Sequence, residues 1–323
     1  MYLAPEGQEL EIAEAARTYL GDCLPLARLK GASHADMPSD TRREMAQLGW
    51  FGLAVDEARG GSGLSEVEHA LFFREVGRQC GPIAILAQCL AANAAQDDKL
   101  RASLLSGEQG CALLVRDRGA FRALGAPDAR YGVLAEPGIC FIHDLANLVD
   151  DCRPALDRAD SMRLLSALPS RIETLESGRP YRFGQLGVAA MLIGIAEAAL
   201  DLIVEYAKIR ETFGRKIGAW QAVRHPCADM AVRVEAARAQ LWFAAAACKE
   251  CRADADAHLT AAKHLANEAA YRNADTNIQL HGGIGVTEEH DAHLLLKRAL
   301  MLGRLFGARE PLLNALLHAE LVD

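Results

Sequence analysis

The spacing of apolar residues divides the chain into three stretches. Residues 6–110 carry apolar side chains three and four positions apart, which is the spacing of helices that bury one face. Residues 111–180 carry short apolar runs, such as Cys111–Val115 and Ile139–Ile142, separated by turn residues, and these runs predict strands. From about residue 183 the helical spacing returns in long segments with short connections, which predicts an antiparallel helical bundle.

The pattern therefore predicts a mainly α protein with a small β domain. We expect an N-terminal helical domain at residues 1–110, a reduced middle β domain of antiparallel hairpins at 111–180, and a C-terminal four-helix-bundle domain at 181–323. Small residues in the first bundle helix, among them Gly194, predict that neighbouring helices approach it closely.

Composition narrows the classes of partner. The chain has 35 basic and 43 acidic residues and a formal net charge of −8, which argues against nucleic acid and anionic membranes. No run of about 20 uninterrupted apolar residues occurs, so we expect no membrane span. The first residues, from Met1 to Gly7, show neither a basic start nor an apolar stretch. We therefore expect no export signal and a cytoplasmic location.

Metal chemistry is not expected either. Cys248 and Cys251 form a C-x-x-C within a helical pattern, but no second pair lies at the spacing of a zinc site. His290 and His293 likewise lack a third and fourth ligand. The nine cysteines, unevenly spaced in a long chain, are typical of free thiols.

Two motifs in the helical last part of the chain carry candidate chemistry. The stretch Arg210–Gly214 ends a helix with a guanidinium and an aromatic ring before a glycine turn. The stretch Gln279–Gly283 runs a helix into two glycines, which let an anion approach backbone N–H groups. Guanidinium, amide and ring surfaces together suit the pyrophosphate and flat base of a dinucleotide. Taken singly, the arginine suits a helix end, and the glycines suit a helix stop.

In this order and at this separation, the two motifs resemble those of the acyl-CoA dehydrogenase family. The order of helical domain, small sheet and helical bundle is also the order of that fold. The segment Gly49–Val55, followed by the glycine-rich Arg59–Ser65, is similar to part of the family's N-terminal domain. The resemblance implies an FAD-dependent oxidoreductase that converts an acyl-CoA to the α,β-enoyl-CoA.

The resemblance also assigns residues to the cofactor. In the family, the C-terminal bundle of one subunit covers the adenosine diphosphate half of a neighbour's FAD. Here the motif R-x-T-F-G, the glutamine that follows it and the motif Q-x-x-G-G are all present. The FAD contacts that it implies are Arg210, Thr212, Phe213, Gln221, Gln279, Leu280, His281, Gly282 and Gly283.

Residues for proton transfer depart from the family pattern. The family removes the α-proton with a glutamate, and alignment of this chain puts Phe306 at that place. A second base position, used by some relatives, falls at about Gly184, and only Glu173 and Glu176 lie near it as carboxylates. The middle domain also lacks the family loop that brackets the flavin, since its nearest string, Ala135–Gly138, has the form of a hairpin turn. We therefore expect no catalytic residue in this chain.

This asymmetry favours a non-catalytic subunit. The resemblance then implies an α2β2 heterotetramer with a full-length catalytic acyl-CoA dehydrogenase subunit, which shares FAD with this chain and binds most of the acyl-CoA. Electron-transferring flavoprotein is the electron acceptor that the family implies. Heteromeric enzymes of this kind occur in bacterial steroid side-chain degradation, so a steroid-CoA thioester is the expected substrate.

Two other hypotheses remain open. In a self-sufficient homotetramer, Glu288, Glu289 or Asp291 would act as an unconventional base, although carboxylates at a helix start usually serve as caps. The chain would otherwise be a non-enzymatic binding or scaffold protein. The net charge of −8 opposes DNA binding by such a protein. A local basic patch could still attract DNA, and it consists of Arg210, Arg215, Lys216 and Arg224.

Overall fold

The computed structural model describes residues 4–32, 35–125, 127–146, 148 and 152–321. Residues 1–3 of the segment used to argue against an export signal lie outside this part. The contacts within the chain define two compact units. The first unit consists of Met1–Gly31, Ala70–Cys80 and Val188–Asp323, and the second of Ala32–His69 and Gly81–Gly187. The division at residues 110 and 180 stays a prediction.

The fold class is confirmed, since helices precede and follow a small sheet along the chain. The α-helices of the described chain are α1 (Gln8–Cys23), α2 (Ser39–Gln47), α3 (Glu66–Arg78), α4 (Ala84–Ala94), α5 (Asp98–Leu105), α6 (Arg179–Ile209), α7 (Gln221–Lys249), α8 (Ala255–His281), α9 (Ala292–Leu302) and α10 (Arg309–Leu317). The strands are β1 (Cys111–Asp117), β2 (Ala120–Leu124), β3 (Tyr131–Glu136), β4 (Ile139–Asp144), β5 (Cys152–Pro154), β6 (Ser161–Leu165), β7 (Arg171–Leu175), β8 (Glu211–Thr212) and β9 (Arg215–Lys216).

The sheet of the second unit has the strand order β5-β6-β2-β1-β3-β4-β7. The hairpin expected around Pro137 and Gly138 is confirmed, because Glu136 pairs with Ile139 across this two-residue turn and Gly138 has a φ of 85°. The expectation of purely antiparallel pairing was wrong. β1 and β3 run parallel, because the chain crosses after β2 to the other side of β1 and starts again in the same direction.

The glycine-rich loop before α3 serves backbone packing. Gly63 N donates to Val55 O at 2.9 Å, and a Cβ added at Gly61 would lie 2.1 Å from the same oxygen. Ser65 caps α3, since its Oγ accepts from Val67 N at 3.2 Å and its N donates to the Glu68 carboxylate at 2.9 Å.

In the first unit, α3 and α6 cross at two glycines. A Cβ at Gly77 would lie 2.0 Å from Met191 O, and a Cβ at Gly194 would lie 2.0 Å from Arg74 O. The two backbones therefore touch, which confirms the close approach that the sequence predicts at Gly194. Glu197, one turn further along α6, accepts from Arg74 Nε at 2.8 Å beside this crossing.

Asn273 of α8 joins three helices of the bundle. Its Nδ2 donates to Ala196 O on α6 at 3.2 Å and to Met230 O on α7 at 3.1 Å, while Arg233 Nε donates to its Oδ1 at 2.8 Å. The side chain is fully buried, so these bonds satisfy polar atoms that water does not reach. They also fix the register in which α7 and α8 pack.

Helix α6 is long and apolar enough to cross a bilayer by length and composition alone. However, 72% of its most apolar window is buried inside the protein, as in a core helix. The absence of a membrane span stays a prediction.

Candidate functional site

A short hairpin projects after α6, at the first predicted motif. β8 (Glu211–Thr212) pairs with β9 (Arg215–Lys216), and Phe213 and Gly214 form the turn between them with φ values of 50° and 77°. Both turn residues adopt the left-handed conformation that a tight two-residue hairpin uses. The turn leaves the Phe213 side chain 94% exposed. A ring held this far out has no packing role within the chain and is available to a flat ligand or a second subunit.

The hairpin carries cations with different roles. Lys216 Nζ lies 2.7 Å from Glu211, and the Arg215 guanidinium lies 5.1 Å from the centre of the Trp220 ring. Arg210 is exposed, and its guanidinium has no hydrogen-bond or ion-pair partner among the described residues. Arg210 is therefore the cation of this hairpin that is most available to an anionic ligand.

The second motif ends α8 in an open backbone. α8 ends at His281, and Gly282 turns the chain with a φ of 68°. A Cβ added at Gly282 or Gly283 would meet nothing within 4 Å. Both glycines and Gln279 are exposed, so a phosphate or a flat ring has room to reach this backbone.

His281 points inward and brings the two motifs together. Its side chain is 5% exposed, and its ring centre lies 4.5 Å from that of Tyr206, one turn before Arg210 on α6. The end of α6 therefore lies against the end of α8, so the hairpin and the glycine pair share one end of the bundle. Because the imidazole is turned into the protein, His281 presents only its backbone on the ligand side.

The nine residues predicted to contact FAD thus differ in accessibility. The exposed members are Arg210, Phe213, Gln221, Gln279, Gly282 and Gly283; Thr212 and Leu280 are half-buried, and His281 is buried. The exposed set combines a guanidinium, an aromatic ring, two amides and open backbone. This donor set fits the phosphates and rings of a dinucleotide.

Phe306, the position that the sequence comparison with the family assigns to its glutamate, lies in the turn between α9 and α10. Phe306 and Gly307 have φ values of 52° and 121°. Lys263 and Asn267 of α8 both donate to Gly307 O, at 3.2 and 3.3 Å, and Lys263 also donates to Asn267 Oδ1 at 2.6 Å. The turn is thus built and fastened, but it carries a phenyl ring where proton transfer needs a carboxylate. Sequence reasoning missed Lys263, because a lysine in an alanine-rich helix is usually exposed.

Lys263 gives the fold a specific pH dependence. The side chain is fully buried, and this burial lowers its pKa to about 7 from the ordinary value of 10.5. Between pH 7 and 10.5 the unfolded chain holds a proton that the folded chain lacks, so stability should rise with pH by up to about 1.4 kcal/mol per unit.

Lys263→Met should remove this rise, whereas Lys99→Met should retain it, because Lys99 is exposed. Urea unfolding of both variants and wild type at pH 7.0, 8.0 and 9.0 measures the slopes. Equal slopes in the three proteins would contradict a neutral, buried Lys263.

The second base position, at Gly184, is closed off. Neighbouring Phe183 packs its ring edge-on against His69, with 4.8 Å between ring centres, and Phe183 O lies 3.0 Å from His69 Nε2. Burial lowers the pKa of His69 to about 4, so this imidazole is neutral. The cavity beside the pair has a volume of about 10 Å³, room for about one water molecule and not for an acyl chain.

The carboxylate Glu173 has a structural role. It accepts the backbone N–H groups of Gln96 and Asp97 at 2.8 and 2.9 Å. Both oxygens are therefore engaged in holding the chain before α5.

The three carboxylates of the homotetramer hypothesis are exposed or paired. Asp291 lies 3.1 Å from Lys30 Nζ. A hydrogen bond from Thr287 lowers the pKa of Glu289, and Glu288 is 60% exposed. A catalytic base needs burial that raises its pKa, whereas the pKa of Glu289 is lowered, Glu288 is exposed and Asp291 is paired with a lysine.

Among the described residues, no group of three or more His, Cys, Asp or Glu side chains is placed to hold a metal ion. Cys248 lies near the end of α7, and Cys251 follows that helix with a φ of 52° and an exposed side chain.

Sequence comparison identifies the family. The acyl-CoA dehydrogenase N-terminal domain matches residues 6–107, and the acyl-CoA dehydrogenase C-terminal domain matches residues 180–320. Acyl-CoA dehydrogenase FadE34 of Mycobacterium tuberculosis is 33% identical over 81% of this chain, which spans only 39% of FadE34. Acyl-CoA dehydrogenase IpdE2 of the same organism is 32% identical over 78% of this chain and 77% of its own length.

Structural comparison agrees with the sequence. A chain of the ChsE4-ChsE5 complex from Mycobacterium tuberculosis superposes with a TM-score of 0.84 at 20% identity, and the match covers 99% of this chain and 100% of the other. At this identity the likeness establishes the fold. Together, the matched domains and the similarity to IpdE2 show that the chain belongs to the acyl-CoA dehydrogenase family.

Proposed function

We propose that this chain is the non-catalytic subunit of a heteromeric acyl-CoA dehydrogenase and completes the FAD site of a catalytic partner subunit. The observation that carries the proposal is one contrast within the chain. The exposed hairpin and the open glycine pair share one end of the bundle, whereas both base positions, Phe306 and Gly184, hold no carboxylate. The exposed surfaces suit a cofactor, whereas the two positions assigned to the base carry no group for proton transfer.

On the cofactor side, each residue has a role that its chemistry supports. In this family FAD supplies the acceptor for the hydride that leaves the acyl group. Arg210 would pair with its pyrophosphate, because an exposed guanidinium with free donors binds phosphate oxygens in two places. Phe213 would cover a flat ring, and Gly282 and Gly283 would admit the cofactor to backbone contact. Gln221 and Gln279 would add amide donors and acceptors.

On the substrate side, this chain cannot remove the α-proton of a thioester at the family's positions. That step needs a carboxylate with a raised pKa, and a phenyl ring accepts no proton. The cavity beside Phe183 and His69 is also too small for an acyl chain. Proton removal and most of the acyl-CoA binding are therefore assigned to the partner subunit.

The assembly we propose is a cytoplasmic α2β2 heterotetramer that passes electrons to electron-transferring flavoprotein. The structurally similar chain from the ChsE4-ChsE5 complex supports pairing of two different chains on this fold. A bulky acyl group, such as a steroid side-chain CoA thioester, is the proposed substrate.

The decisive experiment measures flavin stoichiometry and subunit composition. The full chain is purified alone and after co-expression with acyl-CoA dehydrogenase chains encoded beside it. We expect colourless or insoluble protein alone, and a yellow complex with one FAD per pair of chains. A yellow homo-oligomer with one FAD per chain that oxidises a CoA thioester would overturn the proposal and favour an unconventional base.

The same preparations test the scaffold hypothesis. A stable complex that lacks flavin in every co-expression would indicate scaffolding. A salt-sensitive shift of duplex DNA by the full chain would instead assign the basic patch of Arg210, Arg215, Lys216 and Arg224 to nucleic acid.

A further inference from the structure

Two histidine rings are in contact next to the exposed glycine pair. His281 ends α8 and His290 precedes α9, and their ring centres are 4.2 Å apart with 49° between the planes. Tyr206 of α6 flanks both rings, at 4.5 Å from His281 and 6.3 Å from His290. We call His281 and His290 the histidine pair. It joins the two ends of the segment Gly282–Asp291 to the bundle.

Hydrogen bonds assign one proton to each ring of the pair. His281 Nδ1 lies 2.7 Å from Asn277 O, and a carbonyl only accepts, so His281 Nδ1 carries a proton. Ala292 N donates to His290 Nδ1 at 3.2 Å, so that nitrogen is bare. Because Ala292 is the first residue of α9, His290 satisfies one of the N–H groups that a helix start leaves free.

A second proton on either ring disturbs this arrangement. On His290 it goes to Nδ1, where it opposes the N–H of Ala292 and removes the acceptor at the start of α9. On His281 it goes to Nε2, which is buried and has no hydrogen-bond partner among the described residues. Asn277, one turn earlier on α8, does not accept a hydrogen bond from this nitrogen. Both its side-chain amide atoms are also buried without a partner among the described residues.

The charges around the pair have opposing effects. Burial is the largest cause that lowers the pKa of both histidines. Asp291 raises the pKa of His290, while Lys30 and His293 lower it, and Lys30 is itself paired with Asp291 at 3.1 Å. His293 lies between the pair and Glu288, with its Nδ1 2.8 Å from His290 O and its Nε2 3.7 Å from Glu288.

We propose that the histidine pair is an acid-sensitive switch for the segment Gly282–Asp291. When both rings are neutral, the segment is fastened to α6, α8 and α9, and protonation of the pair releases it. This regulatory role rests on the proposed function in one respect, namely that the segment covers FAD. The switch itself is a property of this chain.

The direction follows from proton linkage. In the released segment the histidines are solvated and take up protons near pH 6.5, whereas in the fastened segment they do so only at lower pH. The released state therefore binds more protons as pH falls below about 6.5. The protection of the segment's backbone amides against hydrogen exchange is therefore full above that pH. Below it, this protection falls by up to about tenfold per pH unit for each histidine.

Hydrogen–deuterium exchange on the full chain, alone or in the complex with its partner after removal of FAD, tests the switch without a cofactor. We expect protection at residues 282–292, corrected for intrinsic exchange, to fall about tenfold or more between pH 7.5 and 5.5, while the buried helix α4 keeps its protection. His290→Asn keeps an acceptor for Ala292 N and does not titrate, and His281→Phe keeps a ring against Tyr206. The double variant should lose most of the pH dependence.

His318→Asn is the matched control, because His318 is exposed after α10, and it should behave as wild type. Equal pH dependence in the double variant and wild type would overturn the proposal. Titration of the ring protons of wild-type His290 by NMR is a second test that needs no variant. An apparent pKa of 6.5 or above for that ring would also overturn it.

The two proposals fail separately. FAD stoichiometry at pH 7.5 tests the cofactor role, whereas the exchange experiment uses the chain without FAD. If exchange of the segment depends on pH but the protein never takes up FAD, the switch is supported and the cofactor role is contradicted. A complex that binds FAD but shows no pH-dependent exchange would retain the cofactor role and remove the switch.

Discussion

Gly194→Ala is expected to lower the free energy of unfolding by about 3 kcal/mol. A Cβ at this position would lie 2.0 Å from Arg74 O and 2.8 Å from Arg78 N, both backbone atoms of α3. Backbone atoms cannot swing aside as the end of a side chain can, so α3 and α6 must separate. Separation would also pull Glu197 away from Arg74, whose 2.8 Å hydrogen bond closes the same crossing.

Urea unfolding monitored by far-UV circular dichroism measures this loss. Gly21→Ala is the matched control, since Gly21 lies in α1 and an added Cβ there would meet nothing within 4 Å. That control should gain about 0.5–1 kcal/mol, because alanine restricts the unfolded chain and favours the helix. Gly194→Ala within about 0.5 kcal/mol of wild type would contradict the close crossing.

The features that could be predicted from the sequence are those that depend on residues close together in the chain. The helices α7 and α8 follow from apolar spacing sustained over many turns, and the hairpin at Pro137 and Gly138 follows from turn residues between two strands. The parallel pairing of β1 and β3 could not be predicted, because strand direction depends on where the chain crosses after β2. That crossing is decided by contacts between residues far apart in sequence.

The candidate site shows the same limit. The motifs identify Arg210 and Gly282 by residue type, but their accessibility depends on how the helix ends pack. His281 belongs to the cofactor motif, yet its imidazole faces inward, because Asn273, Asn277 and His281 are four residues apart on one face of α8. Asn273 bonds to α6 and α7, and this determines which face of α8 is turned inward. A helical projection anchored on a buried asparagine would have indicated it.

Lys263 was hidden for a different reason. Polar residues such as Thr260, His264 and Asn267 surround it on α8, so the sequence offers no sign that the helix face is covered at this point. Coverage comes from the turn at Phe306 and Gly307, more than 40 residues away, whose carbonyl accepts the buried amine. The turn at Phe306 and Gly307 is thus supported from α8, although the Phe306 ring cannot accept a proton.

Arg210→Gln in the complex with a catalytic partner is expected to raise the dissociation constant of FAD about 10- to 100-fold. A charge-assisted hydrogen bond contributes about 1.5–3 kcal/mol, and glutamine keeps an amide donor while losing the charge. The chain's own fold should not change, because the Arg210 side chain is exposed and makes no polar contact among the described residues. FAD release is followed by the rise in free-flavin fluorescence on dilution of the purified complex.

Arg43→Gln is the matched control, since Arg43 is 55% exposed and, within the described part of the chain, pairs only with Asp40 three residues earlier. It should leave the FAD affinity unchanged. A change seen only in Arg210→Gln then comes from the charge at the hairpin and not from the loss of any one surface charge. If Arg210→Gln releases FAD no faster than this control while the complex stays intact, the hairpin does not reach the cofactor. The exposed ring of Phe213 would then serve contact between subunits alone.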